Sequence, residues 1–508
     1  RPPRSTLFPY TTLFRSPTLT NRLKFLGGFG VVFGLYHLTN SYANHLATAQ
    51  IQSQSQIISN VATTLDSHTP FIPPSILIYA CSVPLLALAY LTADSWNKLW
   101  QVNFYLIIST LIACLCFYFY PLQVSYPPKT IADYQYFGIN WHPLYQLLGA
   151  MDKPFNQLPS LHACYALIVS FVIARQRHFI GNFINSCRYL LVFLSLLVGI
   201  STLTTHQHHI YDIVFGVLLA VCVITLESYL ANYQSRYQSQ LVIKYTSIAI
   251  AGFLLINIVP LLYIDNMSQI GKITIKGIAT YHLLSFLLLA LCYSNVPIFI
   301  TLRHRLFKKS DNKNTIGQLP IIAYITMLPI ISIYQLMWYM AVKFKLLKFP
   351  NAPMTVRPNT DIIAIANPNA KFINELQQMY KNYQHIIWLD MASETNSHCA
   401  KLAQPNISYR HIAILDLMPI DSEQNKIRKT LTWLSQTINA HGTDKPTLII
   451  CQCSMGLQRS IAMLACVLMY FDDTIIPHHL YQLLDKNYPY HRLHRYILNH
   501  EFLQFIKS

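Results

Sequence analysis

Acidic residues are scarce in this 508-residue chain: 20 Asp and Glu stand against 37 Lys and Arg, and charged residues of all kinds make up 11%. With 53% hydrophobic residues, that shortage excludes an ordinary soluble enzyme, which carries about 25% charge, and a disordered chain. The shortage is also local. Residues 1–350 hold 8 acids against 23 basic residues, whereas residues 351–508 hold 12 against 14. Paired cysteine spacings are missing too. Seven of the 11 Cys (Cys81, Cys114, Cys116, Cys164, Cys187, Cys222, Cys292) sit in or beside apolar runs, as small hydrophobes rather than a disulfide framework. No repeat of 20–50 residues occurs, and low complexity is confined to the Ser/Gln-rich stretch near Gln50–Gln56.

The basic residues of the first part fall in short clusters between long apolar runs. That is the positive-inside pattern of a membrane protein, not the stripe that binds nucleic acid. Crossing a hydrocarbon core takes roughly 20 apolar residues. Candidate runs lie near 25–43, 75–95, 101–122, 161–175, 187–205, 210–231, 245–264, 280–301 and 320–341, the fourth being short. Arg22 and Lys24, then Arg175, Arg177 and Arg188, then Arg236 and Lys244 mark one face as cytoplasmic. Residues 44–74, with Asp66 alone charged, and Thr202–Tyr211, with no Lys, Arg or acid, mark the other as outside. Arg303, Arg305, Lys308, Lys309 and Lys313 return the chain to the cytoplasm. Residues 1–16, RPPRSTLFPYTTLFRS, have neither a signal-peptide core nor a cleavage site. They read as a non-native, sequencing-adaptor-derived segment, so fold expectations begin at residue 17.

After Pro350 the texture changes. DIIAIA (361–366), HIIWLD (385–390), YRHIAIL (409–415) and PTLIICQC (446–453) read as strands, and 371–384, 423–440, 459–472 and 477–487 as helices, which predicts a soluble α/β domain. The last strand runs into SMGLQRS, placing Cys453, Gly456, Arg459 and Ser460 in a loop ahead of a helix. Such a loop aims backbone N–H groups at one point, and its field favours a thiolate on Cys453. Arg459 can grip two phosphate oxygens, and Ser460 can stabilise the leaving thiolate. The bland alternative is a buried Cys near an unrelated Arg.

Two segments of the membrane part carry chemistry that apolar helices do not need, DKPFNQLPSLHACYA (152–166) and STLTTHQHHIYDIVFG (201–216). His208 and Asp212, four apart, share a helix face, and an acid inside an apolar helix marks a functional site. Three readings stay open: interfacial His of a transporter, a metal site of His206, His208, His209 and Asp212, or phosphoryl transfer with His208 as nucleophile, Asp212 orienting it and His162 as acid.

Residues 355–508, with Cys-x5-Arg after a strand and Asp in YRHIAILDLMP, resemble the dual-specificity branch of the protein tyrosine phosphatase superfamily. The resemblance implies a phosphocysteine on Cys453 and a general acid, Asp416, with Asp421 as runner-up. Gln452 stands where that family has His. Residues 75–231, with Pro-Ser-Leu-His and Ser-x6-His-x3-Asp, resemble the type 2 phosphatidic acid phosphatase superfamily. This implies a six-helix core with an outward site formed by Ser160, His162, Ser201, His208 and Asp212. Thr202 replaces that family's Arg, Leu161 replaces its Gly, and YPPKT supplies only Lys129, so Lys129, Lys153 or His209 would compensate. The sphingolipid synthase relatives, with a His-His-Asp triad and no such Arg, make phosphotransfer an alternative to hydrolysis. Both modules in this order resemble bacterial inner-membrane phosphatase-like fusion proteins.

The expected architecture is a polytopic α-helical membrane domain followed by a soluble α/β cysteine-phosphatase domain. Its segments are 17–74 (first helix and outer loop), 75–231 (phosphatidic acid phosphatase-like core), 232–349 (additional or re-entrant helices) and 350–508 (dual-specificity phosphatase-like domain). The expected function is an integral membrane phosphatase with two sites. Its catalytic residues are Cys453, Arg459, Asp416, Ser460, His162, His208 and Asp212; Ser160, Ser201, Gly456, Lys129 and Lys153 bind substrate. No metal or cofactor is called for. The expected substrates are a membrane phospholipid or polyprenyl phosphate, or a phosphoprotein for the cysteine domain, and no nucleic acid. A transporter or degenerate scaffold with a regulatory phosphatase domain is the competing class, but it predicts charges inside several spans. The 320–341 run decides the topology. Pro320, Pro329 and basic flanks on both sides (Lys343, Lys345 and Lys348 following) favour a segment that does not cross, leaving the cysteine domain cytoplasmic, where a thiolate stays reduced. Alkaline phosphatase fused after Lys348 is therefore expected to be inactive and a fluorescent reporter there bright; the reverse pair of signals overturns the cytoplasmic placement.

Overall fold

The structure, a computed structural model, describes residues 17–506 apart from 53–60, 176–186, 234–235, 265–266, 311–314, 345–352, 369, 380, 398–406, 419, 489–501 and 503–504. Residues 1–16, Arg177, Lys313, Lys345, Lys348 and part of the Ser/Gln-rich stretch, all singled out above, lie outside the described residues. The chain forms two compact units, Arg1–Leu284 and Ser285–Ser508.

The first unit is helical. Its elements are α1 (Leu19–Gln52), α2 (Ser75–Ala80), α3 (Ser82–Leu91), α4 (Trp96–Phe119), a small hairpin of β1 (Gln135–Tyr136) and β2 (Ile139–Asn140), α5 (His142–Met151), α6 (Leu161–Arg175), α7 (Arg188–Thr204), α8 (Ile210–Tyr233), α9 (Arg236–Tyr263) and α10 (Gln269–Tyr293), whose last turns belong to the second unit. Helix α4 is its axis: Leu99, Leu106, Leu111 and Phe117 are buried, and α1, α6, α8 and α9 pack round it. Helix α6 crosses α8 at Gly216. A Cβ there would lie 2.3 Å from the Ser160 carbonyl oxygen, so only glycine admits this approach. Outside the apolar packing, Asp152 accepts from Tyr36 (2.9 Å), Asn40 (2.7 Å) and Asn156 (2.9 Å), tying α1 to the turn before α6.

Five described helices are long and apolar enough to cross a membrane: α4, α8, α9 and α10 over most of their lengths, and Ile321–Lys343. They are compatible with a membrane protein. Two details of the sequence reading are corrected. The 280–301 run is not one helix: α10 begins at Gln269 and ends at Tyr293, and α11 (Pro297–Phe307) starts anew with Pro297 in its first turn, where the missing N–H costs nothing. The 75–95 run is likewise broken, at Cys81 between α2 and α3.

The second unit contains α11, α12 (Ile321–Lys343), β3 (Met354–Arg357), β4 (Thr360–Ala366), α13 (Ala370–Met379), β5 (His385–Ala392), β6 (Ile407–Ile414), α14 (Gln424–His441), β7 (Thr447–Cys453), α15 (Arg459–Phe471) and α16 (Pro477–Asn487). The strands form one sheet in the order β3-β4-β7-β5-β6. All pairs are parallel except β3 with β4. Strands β5 and β7, Ile-rich and buried at every residue, lie inside it. A core of Ile363, Ile365, Ile386, Trp388, Leu448 and Ile450 backs one face. The four strands and four helices expected after Pro350 are all present with ends shifted by a few residues; β3 was not anticipated.

Two cations of the basic cluster at 303–309 are buried and hold the fold together. Arg303 is fully buried, donating to Glu423 and to the Cys292 carbonyl (2.8 Å). Lys309 is equally buried against Asp390 (2.8 Å), whose other bonds come from Tyr409 and the Ala392 N–H. These two cations fasten the segment to the sheet; only Arg305 and Lys308 remain exposed as topology signals. Asp390→Ala leaves Lys309 buried without a partner and is expected to cost about 3–5 kcal/mol. The pair Lys309→Met with Asp390→Leu is expected to recover most of that loss. Denaturant unfolding of the full chain measures both, and an unchanged midpoint for Asp390→Ala would contradict the assignment.

Candidate active sites

In the second unit, parallel strands put their C-terminal ends on one edge, and every predicted residue of the cysteine site sits there. Cys453 ends the central strand β7 and α15 begins at Arg459, so the loop between them points a helix N-terminus at the thiol. The Gly456 N–H donates to Cys453 Sγ at 3.2 Å, and Ser460 Oγ lies 3.4 Å from the sulfur. Gly456 has φ +72, and a Cβ on it would lie 2.6 Å from the Ala366 nitrogen; the turn therefore needs glycine twice over.

Arg459 is buried, and both terminal nitrogens of its guanidinium are engaged. It makes a two-pronged ion pair with Glu394 (2.9 and 2.7 Å), donates to the Ile414 carbonyl (2.7 Å), and stands 3.3 Å from Asp416. Burial works against its charge, but Glu394 and Asp416 more than offset this and hold it protonated. Sequence reasoning missed Glu394; its only signal was a lone acid in the loop SETNS after β5. Asp416 follows β6 and accepts from the Tyr334 hydroxyl (3.2 Å), while its carbonyl accepts from Tyr293 (2.6 Å). Asp421 lies in the single turn Ile420–Glu423.

Gln452 stands directly before Cys453 at the end of β7. Its amide turns elsewhere: Oε1 accepts from Trp388 (2.6 Å) and Ser397 (2.9 Å), and Nε2 donates to Asn367 (3.0 Å). The residue before Cys453 is thus fixed from three sides. Burial, with Cys466 alongside, pushes the neighbouring Cys451 thiol well up and makes it a poor nucleophile.

In the first unit the two His-bearing segments meet at the N-termini of α6 and α8. The Ser160 N–H donates to the Asp212 carbonyl (2.9 Å). Asp212 Oδ2 lies 3.5 Å from His208 Nδ1 and accepts the His209 N–H (2.8 Å). Gln157, with its amide oriented as its neighbours require, adds a donor to the same oxygen (3.2 Å). The His162 and His208 rings lie with centroids 5.9 Å apart and planes inclined by 52°, and His162 stacks on Tyr79 at 4.4 Å. Beside His162 opens a cavity of about 310 Å³, largely apolar, with Tyr36, Tyr79, Leu147 and Asp152 among its walls.

The other predicted residues do different work. His209 Nε2 accepts the Ser125 N–H (3.2 Å), so its proton is on Nδ1, 3.6 Å from Asp66. His206 donates to the Thr69 carbonyl (3.1 Å) and stacks on Tyr126 (3.9 Å). With those nitrogens committed, the four-ligand metal set does not assemble. The Ser201 hydroxyl donates back to Val198 (2.7 Å), and Ser160 Oγ accepts the Ala163 N–H (3.4 Å) as a helix cap. Lys129 lies over the Phe71 ring at 5.0 Å and Lys153 is exposed; among the described residues no hydrogen bond joins either to the histidines. Asp66, unremarked except as a lone charge, accepts the Ile210 N–H (2.9 Å) at the start of α8. Its burial would raise its pKa, but the donors Ile210 and Thr63 outweigh that and hold it below the usual carboxylate range.

Residues 124–236 match the family model of the PAP2 superfamily, so the chain carries a PAP2 superfamily domain there, with His162, His208 and Asp212 inside it. The structural neighbours of the chain are protein tyrosine phosphatases. The crystal structure of Tk-PTP in the active form is 15% identical, with 31% of this chain and 97% of that one covered and a TM-score of 0.24. That of PTPMT1 in complex with PI(5)P is 13% identical, with 30% and 95% covered and the same TM-score of 0.24. No curated protein matches the chain.

A methyl group at position 456 would meet the Ala366 backbone at 2.6 Å and is expected to displace the loop: Gly456→Ala should cut cysteine-dependent phosphate-ester hydrolysis roughly 10²-fold. Activity within twofold of wild type would show that the cradle is not the reacting centre.

Proposed function

We propose that the protein is an integral membrane phosphatase with two phosphoryl-transfer sites, one in each unit. The observation that carries the reading is the convergence of His162, His208 and Asp212 at two helix N-termini inside the PAP2 domain. The cradle round Cys453 supports the second site independently. In the first, His208 attacks phosphorus with Asp212 holding its other nitrogen, a P–N bond forms as the P–O ester bond breaks, and His162 gives the leaving oxygen a proton. Water then releases phosphate; an acceptor alcohol in its place makes the same site a phosphotransferase. The apolar cavity beside His162 suits a phospholipid or polyprenyl phosphate, and a six-helix core is the fold that the resemblance implies for the region of residues 75–231. In the second site Cys453 attacks phosphorus, Asp416 protonates the leaving oxygen, Ser460 assists departure of the thiolate, and loop N–H groups with Arg459 stabilise the equatorial oxygens. A bacterial inner membrane with the second unit on the cytoplasmic side completes the reading.

Wild type, His208→Ala and Cys453→Ser, purified as full chains, are compared on a lipid-phosphate and soluble phosphate-ester panel. Each substitution is expected to remove one subset of the activity and leave the other within twofold. If neither lowers any activity, the reading is wrong.

A further inference from the structure

Helix α12 lies against the rim of the cysteine site. At its start, the Leu319 N–H donates to Asn396 Oδ1 (2.9 Å) and the Gly317 carbonyl accepts from Ser397 (2.9 Å). Near its end, Tyr334 donates to Asp416 (3.2 Å) and the Trp338 indole to the Asn367 carbonyl (3.0 Å). Asn367 and Asn396 are themselves bonded to each other, side-chain amide to carbonyl, at 2.8 Å. Both ends of the helix are therefore anchored to one cluster of loops at the C-terminal edge of the sheet. The kink at Met327, two residues before Pro329, is what lets one helix bend round that rim. Four bonds from both halves of the helix to one loop cluster fit a segment lying along that rim rather than one leaving it to span a hydrocarbon core about 30 Å thick.

The helix is nonetheless apolar on both faces. Ala323, Met327, Ile330, Ile331 and Ala341 are buried, while Ile321 (77% exposed), Ile322, Leu328, Ile333, Leu336 (61%) and Met337 form an uncovered outer stripe. The exposed cations Arg305, Lys308 and Lys343 flank it in the sequence. An apolar stripe with basic flanks, in a chain whose preceding helices are long and apolar enough to span, fits the surface of a bilayer with anionic headgroups.

We propose that α12 lies in the membrane surface as the apolar rim of the Cys453 pocket, and that this site takes its phosphate from a monoester on a membrane lipid. This rests on the cysteine-phosphatase reading above. The lipid phosphate enters beside Tyr334 and Trp338, its P–O bond is exchanged for P–S on Cys453, Asp416 protonates the departing lipid alcohol, and water frees the phosphate.

The test uses the full chain carrying His208→Ala, so that only the cysteine site reports, in phosphatidylcholine vesicles containing phosphatidic acid or a phosphatidylinositol monophosphate. Para-nitrophenyl phosphate and a phosphotyrosyl peptide serve as soluble substrates. Leu328→Glu with Leu336→Glu is expected to lower lipid hydrolysis at least tenfold and para-nitrophenyl phosphate hydrolysis less than twofold. Equal losses on both, no loss on either, or turnover of the peptide in preference to lipid overturns the proposal while leaving a cysteine phosphatase in place. Absence of any Cys453-dependent hydrolysis of para-nitrophenyl phosphate instead defeats the underlying reading. The placement of α12 is read separately: Gln318→Cys and Phe344→Cys, labelled in sealed vesicles with an impermeant maleimide, are expected to react from the same side. Reaction from opposite sides shows a crossing helix and ends the proposal.

Discussion

A carboxylate taken out of water must be paid in partners, and in a chain with 20 acids nearly every buried one holds something in position. Glu394 fixes the guanidinium of Arg459, Asp390 receives Lys309, Glu423 receives Arg303, Asp212 faces His208, and Asp66 clamps the start of α8. None of these is an ornamental surface pair. Removing one leaves an uncompensated cation, an unmade helix cap or an unoriented imidazole, so the acids mark the places where the fold and the chemistry are joined.

On the proposed function, the two candidate sites answer the same demand with different materials. A phosphate needs converging donors held at fixed distances. The second unit supplies them from one strand–loop–helix turn, and Gly456 lets that turn pass close to β4. The first unit has no sheet edge to use, so it brings two helix N-termini together, and Gly216 lets α8 approach the Ser160 carbonyl. In both cases a glycine sets the approach and a carboxylate sets the orientation of the reactive side chain or its cation.

Much of this was legible in the sequence because it is local. Strand and helix alternation after Pro350, the Cys453 loop and the four-residue spacing of His208 and Asp212 are all written within a few residues of one another. What was illegible depends on distant partners. Glu394 lies 65 residues before the arginine it holds, and Asp66 lies 144 before Ile210. Arg303 and Lys309 read as topology signals because a sequence displays charge but not burial. His206 and His209 looked like site residues until the partners of their ring nitrogens, Thr69 and Ser125, were known.

The three-sided hold on Gln452 extends outward through Asn367, whose carbonyl accepts from Trp338, and inward to the buried indole of Trp388. Two of the chain's six tryptophans thus sit at the ends of one hydrogen-bonded line that passes the residue next to Cys453. Because indole emission follows the polarity and hydrogen bonding of its surroundings, the candidate cysteine site carries its own optical gauge: one chromophore set in the rim, the other in the floor, with the Cys453 sulfur adjoining the connection between them.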